Sequence, residues 1–186
     1  DACPEIDEIL VSTNDDECIR VAEKMGSSKV KVVRRPENLA LSSTNLNDLI
    51  SYVPTVCSGE HLLWTHVTSP FLDAAHYSSI IKSYFSKIDD GIDSLMTVNK
   101  IQGFLWDADK QQITNTPFGL NWPRTQDLPP TFEITSGAFI NSRQGYLSCG
   151  NRIGLKPYLY ELNTIQSFDI DWPDQFDLAE KLFRSQ

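Results

Sequence analysis

The sequence predicts an α/β fold, a mainly parallel sheet with helices on both faces and a small extended arm. Three observations carry that expectation. Strand and helix patterns alternate three times before Asp90, which implies βαβ units and a parallel sheet covered on both faces. The chain has 186 residues, 40% of them hydrophobic, enough for one domain with a sizeable core spanning residues 1–186. From about Ser94 the pattern changes to shorter strands and turns, so an arm or insertion is expected at about residues 100–155, of the kind that commonly makes subunit contacts.

Glu8–Thr13 reads as a buried strand, and Asn14 with Glu17 three residues later offers a capping-box-like start to a helix. Cys18, Val21, Ala22 and Met25 then recur at i, i+3, i+4 and i+7, predicting one apolar face before Gly26 ends the helix. Val30–Val33 makes a second strand, and Leu46, Leu49, Ile50 and Val53 form a second helical stripe. His61–Thr65 is the third strand. Asp73 is placed to cap a third helix with a buried stripe of Tyr77, Ile80, Ile81, Tyr84 and Ile88. Beyond it, Ser94–Val98, Gly103–Trp106, Phe132–Ile140 and Leu155–Leu162 read as extended, with an irregular stretch rich in Asn, Thr and Pro running through Pro130. Gln175–Phe183 reads as a last amphipathic helix.

Charge narrows the function classes. Lys and Arg number 16 against 25 Asp and Glu, a net charge of −9, which argues against a chain that grips nucleic-acid backbone by charge neutralisation. A polyanionic substrate would need help from a metal ion. Cys3, Cys18, Cys57 and Cys149 are widely spaced with no C-x-x-C pair, which predicts four reduced thiols and a cytoplasmic protein. No apolar run approaches the roughly 18 residues of a membrane span.

Asp169-Ile170-Asp171 is the sharpest local signal. On an extended strand, residues i and i+2 point to one face roughly 6.5–7 Å apart, so the two carboxylates can share a divalent cation. Mg²⁺ accepts one or two protein carboxylates together with phosphate oxygens and water, which suits a nucleotide site. In so acidic a chain the same pattern also fits a solvated turn. Thr68-Ser69-Pro70 follows the third strand, at the carboxyl end where open α/β sheets bind ligands, and His66 lies beside it. A lone histidine there is more often a hydrogen-bonded structural residue than a ligand. Arg34-Arg35-Pro36 follows the second strand and, with Lys29 and Lys31, makes a basic spot that is either a solvated edge or a planar fork for an anion or base. Gly137, within an extended segment, either relieves crowding or admits a ligand close to the backbone.

Taken in order, these segments resemble the acylneuraminate cytidylyltransferases, the CMP-sialic acid synthetases. Val11-Ser12-Thr13-Asn14-Asp15-Asp16-Glu17 resembles the family's V-S-T-D-D-E segment, and Arg35-Pro36-Glu37-Asn38-Leu39-Ala40 its R-P-x-x-L-A loop. Thr68-Ser69-Pro70-Phe71 is similar to its P-T-S-P-L turn, Asp93-Ser94 with Val98 to its D-S-V-x-S-V strand, and Arg124 to Pro129 to its R-Q-D-x-P stretch. Phe168 to Glu180 resembles its I-D-I-D-x-x-x-D-F-x-x-A-E ending. The order of six such segments is more specific than any one of them.

The resemblance implies a Rossmann-like nucleotidyltransferase domain that transfers CMP from CTP to the anomeric hydroxyl of a sialic acid or related nonulosonic acid, with release of pyrophosphate. It implies Mg²⁺ on Asp169 and Asp171, which would also be the catalytic pair. Arg35, Ser43, His66 and Thr68 would bind the nucleotide, and Lys100, Arg124, Ser136 and Phe139 the acidic sugar, partly at a homodimer interface. His66 stands where many members have glutamine, and Ser136 and Phe139 stand in place of the family's usual N-G-A-I-Y residues, which bears on sugar identity. The family opens with a strand and a Gly- and Lys-containing loop for the β- and γ-phosphates. The stretch before Glu5 is too short for both, so the 186 residues read as an N-terminally incomplete domain expected to be inactive alone. Two other readings are a non-catalytic sugar- or nucleotide-binding homologue and a cytidylyltransferase for an eight-carbon keto acid sugar.

Overall fold

In the computed structural model, residues 1–117 and 122–185 are described. The irregular stretch expected through Pro130 includes 118–121, which lie outside them. Strands β1 (Ile9–Thr13) and β2 (Val30–Arg34) pair in parallel around helix α1 (Asp16–Lys24). Helix α2 (Leu46–Val56), strand β3 (His61–Trp64) and helix α3 (Ala74–Ile88) follow. Next come β4 (Ser94–Ile101), the short strands β5 (Trp106–Asp107) and β6 (Gln112–Ile113), and β7 (Thr131–Ser142). Helix α4 (Arg143–Cys149), β8 (Pro157–Leu162) and α5 (Pro173–Arg184) complete the chain.

The larger sheet has the order β3-β7-β4-β8. Strands β3, β4 and β8 share one direction, and β7 runs against them between β3 and β4. The α/β architecture with mostly parallel strand directions is as the alternation implied. Helices cover both faces. On one, α3 lays Ile80, Ile81 and Tyr84 on Leu95, Ala138 and Ile140, with Leu63 packed alongside. On the other, Ile50 of α2 and Tyr146 of α4 pack on Leu62, with Trp64 beside them. Leu62 and Leu63 are neighbours in sequence and part to opposite faces, as the two-residue period of a strand requires.

Several expectations need correction. The arm was bounded at about 100–155, yet β7 lies inside the main sheet because its backbone pairs with strands on both sides. Within that range, β5 and β6 form a separate two-stranded sheet. The Gly103–Trp106 strand reduces to Trp106–Asp107, and Leu155 and Lys156 precede β8 rather than open it, since their N–H groups bond to Asp93 instead of a neighbouring strand. Asp15, not Asn14, caps α1, accepting from the N–H groups of Glu17 and Cys18 at 2.8 and 2.9 Å. The α1 stripe buries Ala22 alone and leaves Val21 54% and Met25 60% exposed, because the two-stranded β1–β2 sheet is narrow cover for a helix. All four cysteines are free. No helix among the described residues is long and apolar enough to cross a membrane.

The sheet's irregularity shapes the site. Between Met96↔Phe139 and Val98↔Ile134 the pairing register shifts, so Thr97 of β4 faces a β7 segment swollen by extra residues. The Thr97 hydroxyl plugs this bulge: it accepts from the Ala138 N–H at 2.8 Å and the Thr135 hydroxyl at 2.7 Å, and its oxygen is 3.2 Å from the Ala138 carbonyl. Gly137 sits in the bulge, where a Cβ would come 2.7 Å from Leu72 Cδ1, 3.1 Å from Thr97 Oγ1 and 3.3 Å from Leu162 Cδ1. Of the two roles open for this glycine, close packing is the one the structure gives. Gly137→Ala is expected to cost about 1–3 kcal/mol by overpacking, lowering the melting temperature by about 2–12 °C for a domain of this size. An unchanged melting temperature would rule out crowding as the reason for glycine here.

Candidate functional site

The site forms at the carboxyl end of β3. His66 lies just beyond the strand, and its N–H donates to the Ser136 carbonyl at 3.1 Å, so the β7 bulge fixes its backbone. Its imidazole stacks on Trp64, with ring centroids 5.8 Å apart and planes 18° from parallel. Thr68 takes up its position through its carbonyl, which accepts from Ile170 N–H at 3.0 Å. That bond brings the Asp169-Ile170-Asp171 segment to the end of β3.

The two aspartates lie on an irregular stretch between β8 and α5, not on a strand as expected. No sheet partner reaches them, and the Thr68 contact holds them instead. Asp171 begins the approach to α5: its N–H and that of Trp172 both donate to Gln175 Oε1, at 2.7 and 2.9 Å. Burial, with Arg152 adding to it, pushes the His66 pKa below its ordinary value, while Asp169 and Asp171 oppose the shift. Both carboxylates therefore act on the same imidazole.

Arg152 is the residue that sequence reasoning missed. Its guanidinium carbon stands 3.6 Å over the Phe139 ring centroid and 5.2 Å from that of Trp64. Its Nη1 donates to His66 Nε2 at 2.7 Å. A guanidinium only donates, so Nε2 is the unprotonated nitrogen and His66 is neutral with its proton on Nδ1. The loop that carries Arg152 is fastened at both ends. Gly150 ends α4 in the left-handed conformation (φ 59°), its N–H returning to the Tyr146 carbonyl at 3.0 Å. Beyond Arg152, Asp93 accepts from the N–H groups of Leu155 and Lys156 at 2.7 and 3.0 Å, and the Ser94 hydroxyl accepts from Gly154 N–H at 2.9 Å. Burial alone would raise the Asp93 pKa, but these donors outweigh it and hold the carboxyl below its usual range.

The structure thus gathers His66, Thr68, Phe139, Asp169 and Asp171 of the expected residues, with Ser136 contributing its carbonyl. Phe139 is 1% exposed, so it forms the floor beneath Arg152 and not an open pocket wall. The other expected residues sit elsewhere. Arg35, after β2, donates its Nε to Ser12 Oγ at 3.4 Å and binds the Ser12 carbonyl through Nη2. Ser43 is exposed in the turn before α2. Lys100 is exposed on β4 opposite Phe132. Arg124, with its side chain 81% exposed, is held by both oxygens of Asp127 at 2.8 and 3.1 Å. Among the described residues no hydrogen bond or ion pair links these four to the His66 group.

The donor set is compatible with Mg²⁺. No group of three or more His, Cys, Asp or Glu side chains converges among the described residues. Asp169 and Asp171 are the two carboxylates at the site that could hold Mg²⁺, which takes one or two protein carboxylates and completes its octahedron with phosphate oxygens and water.

An open α/β sheet with a Thr-Ser-Pro turn and two aspartates brought to the carboxyl end of one strand places the chain among the α/β proteins that bind ligands at strand ends. More narrowly, the chain belongs to the cytidylyltransferase family, whose sequence model matches residues 1–186. It is 26% identical over 183 residues to N-acylneuraminate cytidylyltransferase B of Danio rerio, covering 95% of this chain and 42% of that protein. The chain thus spans about two fifths of the length of that curated relative. Among solved structures it resembles a 4-diphosphocytidyl-2C-methyl-D-erythritol synthase from Anaerococcus prevotii, at TM-score 0.70 and 11% identity over 98% of this chain and 81% of that one. It also resembles a CMP:2-keto-3-deoxy-manno-octonic acid synthetase complexed with CTP, at TM-score 0.62 and 12% identity over 99% and 83%. At such identities these likenesses establish the fold.

Proposed function

We propose that this chain provides the nucleotide, metal and sugar side of a cytidylyltransferase that moves CMP from CTP to the anomeric hydroxyl of a sialic acid or related nonulosonic acid, releasing pyrophosphate. The observation that carries the reading is the joining of Asp169 and Asp171 to the end of β3 through the Ile170–Thr68 hydrogen bond, beside His66. The likeness to the Danio rerio N-acylneuraminate cytidylyltransferase favours a nine-carbon acidic sugar.

Displacement at the α-phosphorus depends on alignment and charge compensation more than on covalent chemistry, so the side chains have positioning tasks. Asp169 and Asp171 would hold Mg²⁺, which when bound compensates charge at the α-phosphate and favours the ionised sugar hydroxyl. Thr68 keeps the two aspartates against β3. His66, with Nε2 engaged by Arg152, has only Nδ1–H left to offer, a donor suited to a ribose oxygen. Arg35 and Ser43 would meet the base and ribose, and Lys100 and Arg124 the sugar from a second subunit of a homodimer.

Pyrophosphate release by the full-length protein with CTP, Mg²⁺ and a panel of acidic sugars tests the reading. Turnover with N-acetylneuraminate or another nine-carbon acid is expected. Turnover restricted to an eight-carbon keto acid would reassign the substrate, and no release with any sugar would replace catalysis with a binding role.

A further inference from the structure

We infer that Arg152 is a specificity-determining residue that receives the carboxylate of the acidic sugar, an inference that rests on the proposed cytidylyl transfer for the identity of the ligand. The first ground is its missing counterion. Arg152 is half-buried, yet among the described residues it makes no salt bridge, although Asp169 and Asp171 both act on the histidine it touches. Partly desolvating a cation without an anion is unfavourable, and a bound anion removes the penalty. The aspartates are left for a cation and the guanidinium for an anion.

The second ground is geometry. The guanidinium lies over Phe139, itself pinned between Trp64 and Met96 in the sheet, so one face of the fork is spent on the ring. One Nη1 donor goes to His66. Among the described residues its other donors make no hydrogen bond, and they lie along the edge of one plane. Such an edge matches two coplanar oxygens in a bidentate pair, and of the anionic groups in the proposed reaction the carboxylate is the planar one.

The test is calorimetric binding of N-acetylneuraminate and its methyl ester to the full-length protein, alone and with CTP present in metal-free buffer, for wild type, Arg152→Met and Arg152→Lys. The wild type is expected to prefer the acid. Arg152→Met is expected to weaken acid binding about 30-fold, roughly 2 kcal/mol, leaving ester affinity within about twofold and lowering CTP affinity far less than acid affinity, since only the His66 contact is lost on that side, and Arg152→Lys to recover part of the loss because it restores charge without the planar fork. Equal binding of acid by wild type and Arg152→Met overturns the proposal. So does a loss that falls chiefly on CTP, which assigns Arg152 to the nucleotide side, or a wild type that binds no acidic sugar. Since binding is read without turnover, a protein that releases no pyrophosphate but shows the Arg152-dependent preference for acid over ester loses the transferase reading and keeps this one. Turnover with an unchanged sugar KM in Arg152→Met does the reverse.

Discussion

Asp171→Ala in the full-length protein is expected to lower CTP-dependent pyrophosphate release at least about 1,000-fold, the scale on which removing a group that compensates transition-state charge acts, while the melting temperature moves little. The two halves of this expectation come from different features. Asp171 is exposed, and its backbone N–H, which bonds to Gln175 Oε1, survives the substitution. Its carboxylate therefore contributes to stability at most through its place before the N-terminus of α5, worth about 0.3–1 kcal/mol. Its proposed work is done on a cation and a phosphate. Asp169→Ala should behave similarly in activity. Raising Mg²⁺ should recover some activity in either variant, because one carboxylate remains. A variant that loses several degrees of stability and little activity would place Asp171 in the scaffold instead.

How much of this was legible in the sequence depends on how local the determinants are. Strands β1 to β3 and helix α3 follow from short-range periodicity, and Tyr77, Ile80, Ile81, Tyr84 and Ile88 do face the Leu95–Ala138–Ile140 core. The β7 position was not legible. Its central place depends on Thr97 filling a bulge 38–41 residues away in sequence, and its exposed Glu133 and Ile134 give it the look of an arm. Pairing, not pattern, makes it central. The same distinction divides the site. His66, Thr68, Asp169 and Asp171 announce themselves by residue type at segment ends, whereas Arg152 sits in a loop after a seven-residue helix that contains Gly145 and shows no clear period. Its meaning arises only when Phe139 comes beneath it and His66, 86 residues earlier, comes beside it. The available local signal was Gly150, a left-handed helix end two residues before the arginine.

Asp93-Ser94 shows a resemblance motif acquiring a physical task, and it leads to the second large effect. Asp93→Ala should destabilise the fold by about 2–3 kcal/mol, since it removes a charged acceptor from two backbone donors and from the Ser94 hydroxyl at once. For a domain of this size that is a fall of roughly 4–12 °C in melting temperature. The backbone at Gly154 passes so close that a Cβ there would stand 2.3 Å from Asp93 Oδ1. The loop has been drawn onto the carboxylate, and without it the segment from Gly150 to Lys156 is tied mainly by Ser94. Arg152 lies in the middle of that segment, so the same variant should raise the KM for the acidic sugar while leaving that for CTP nearly unchanged. Asp93→Asn keeps one acceptor oxygen and should lose about half as much stability. If Asp93→Ala lowered the melting temperature without touching the sugar KM, the anchor would be structural alone and Arg152 would hold its place through Phe139 and His66.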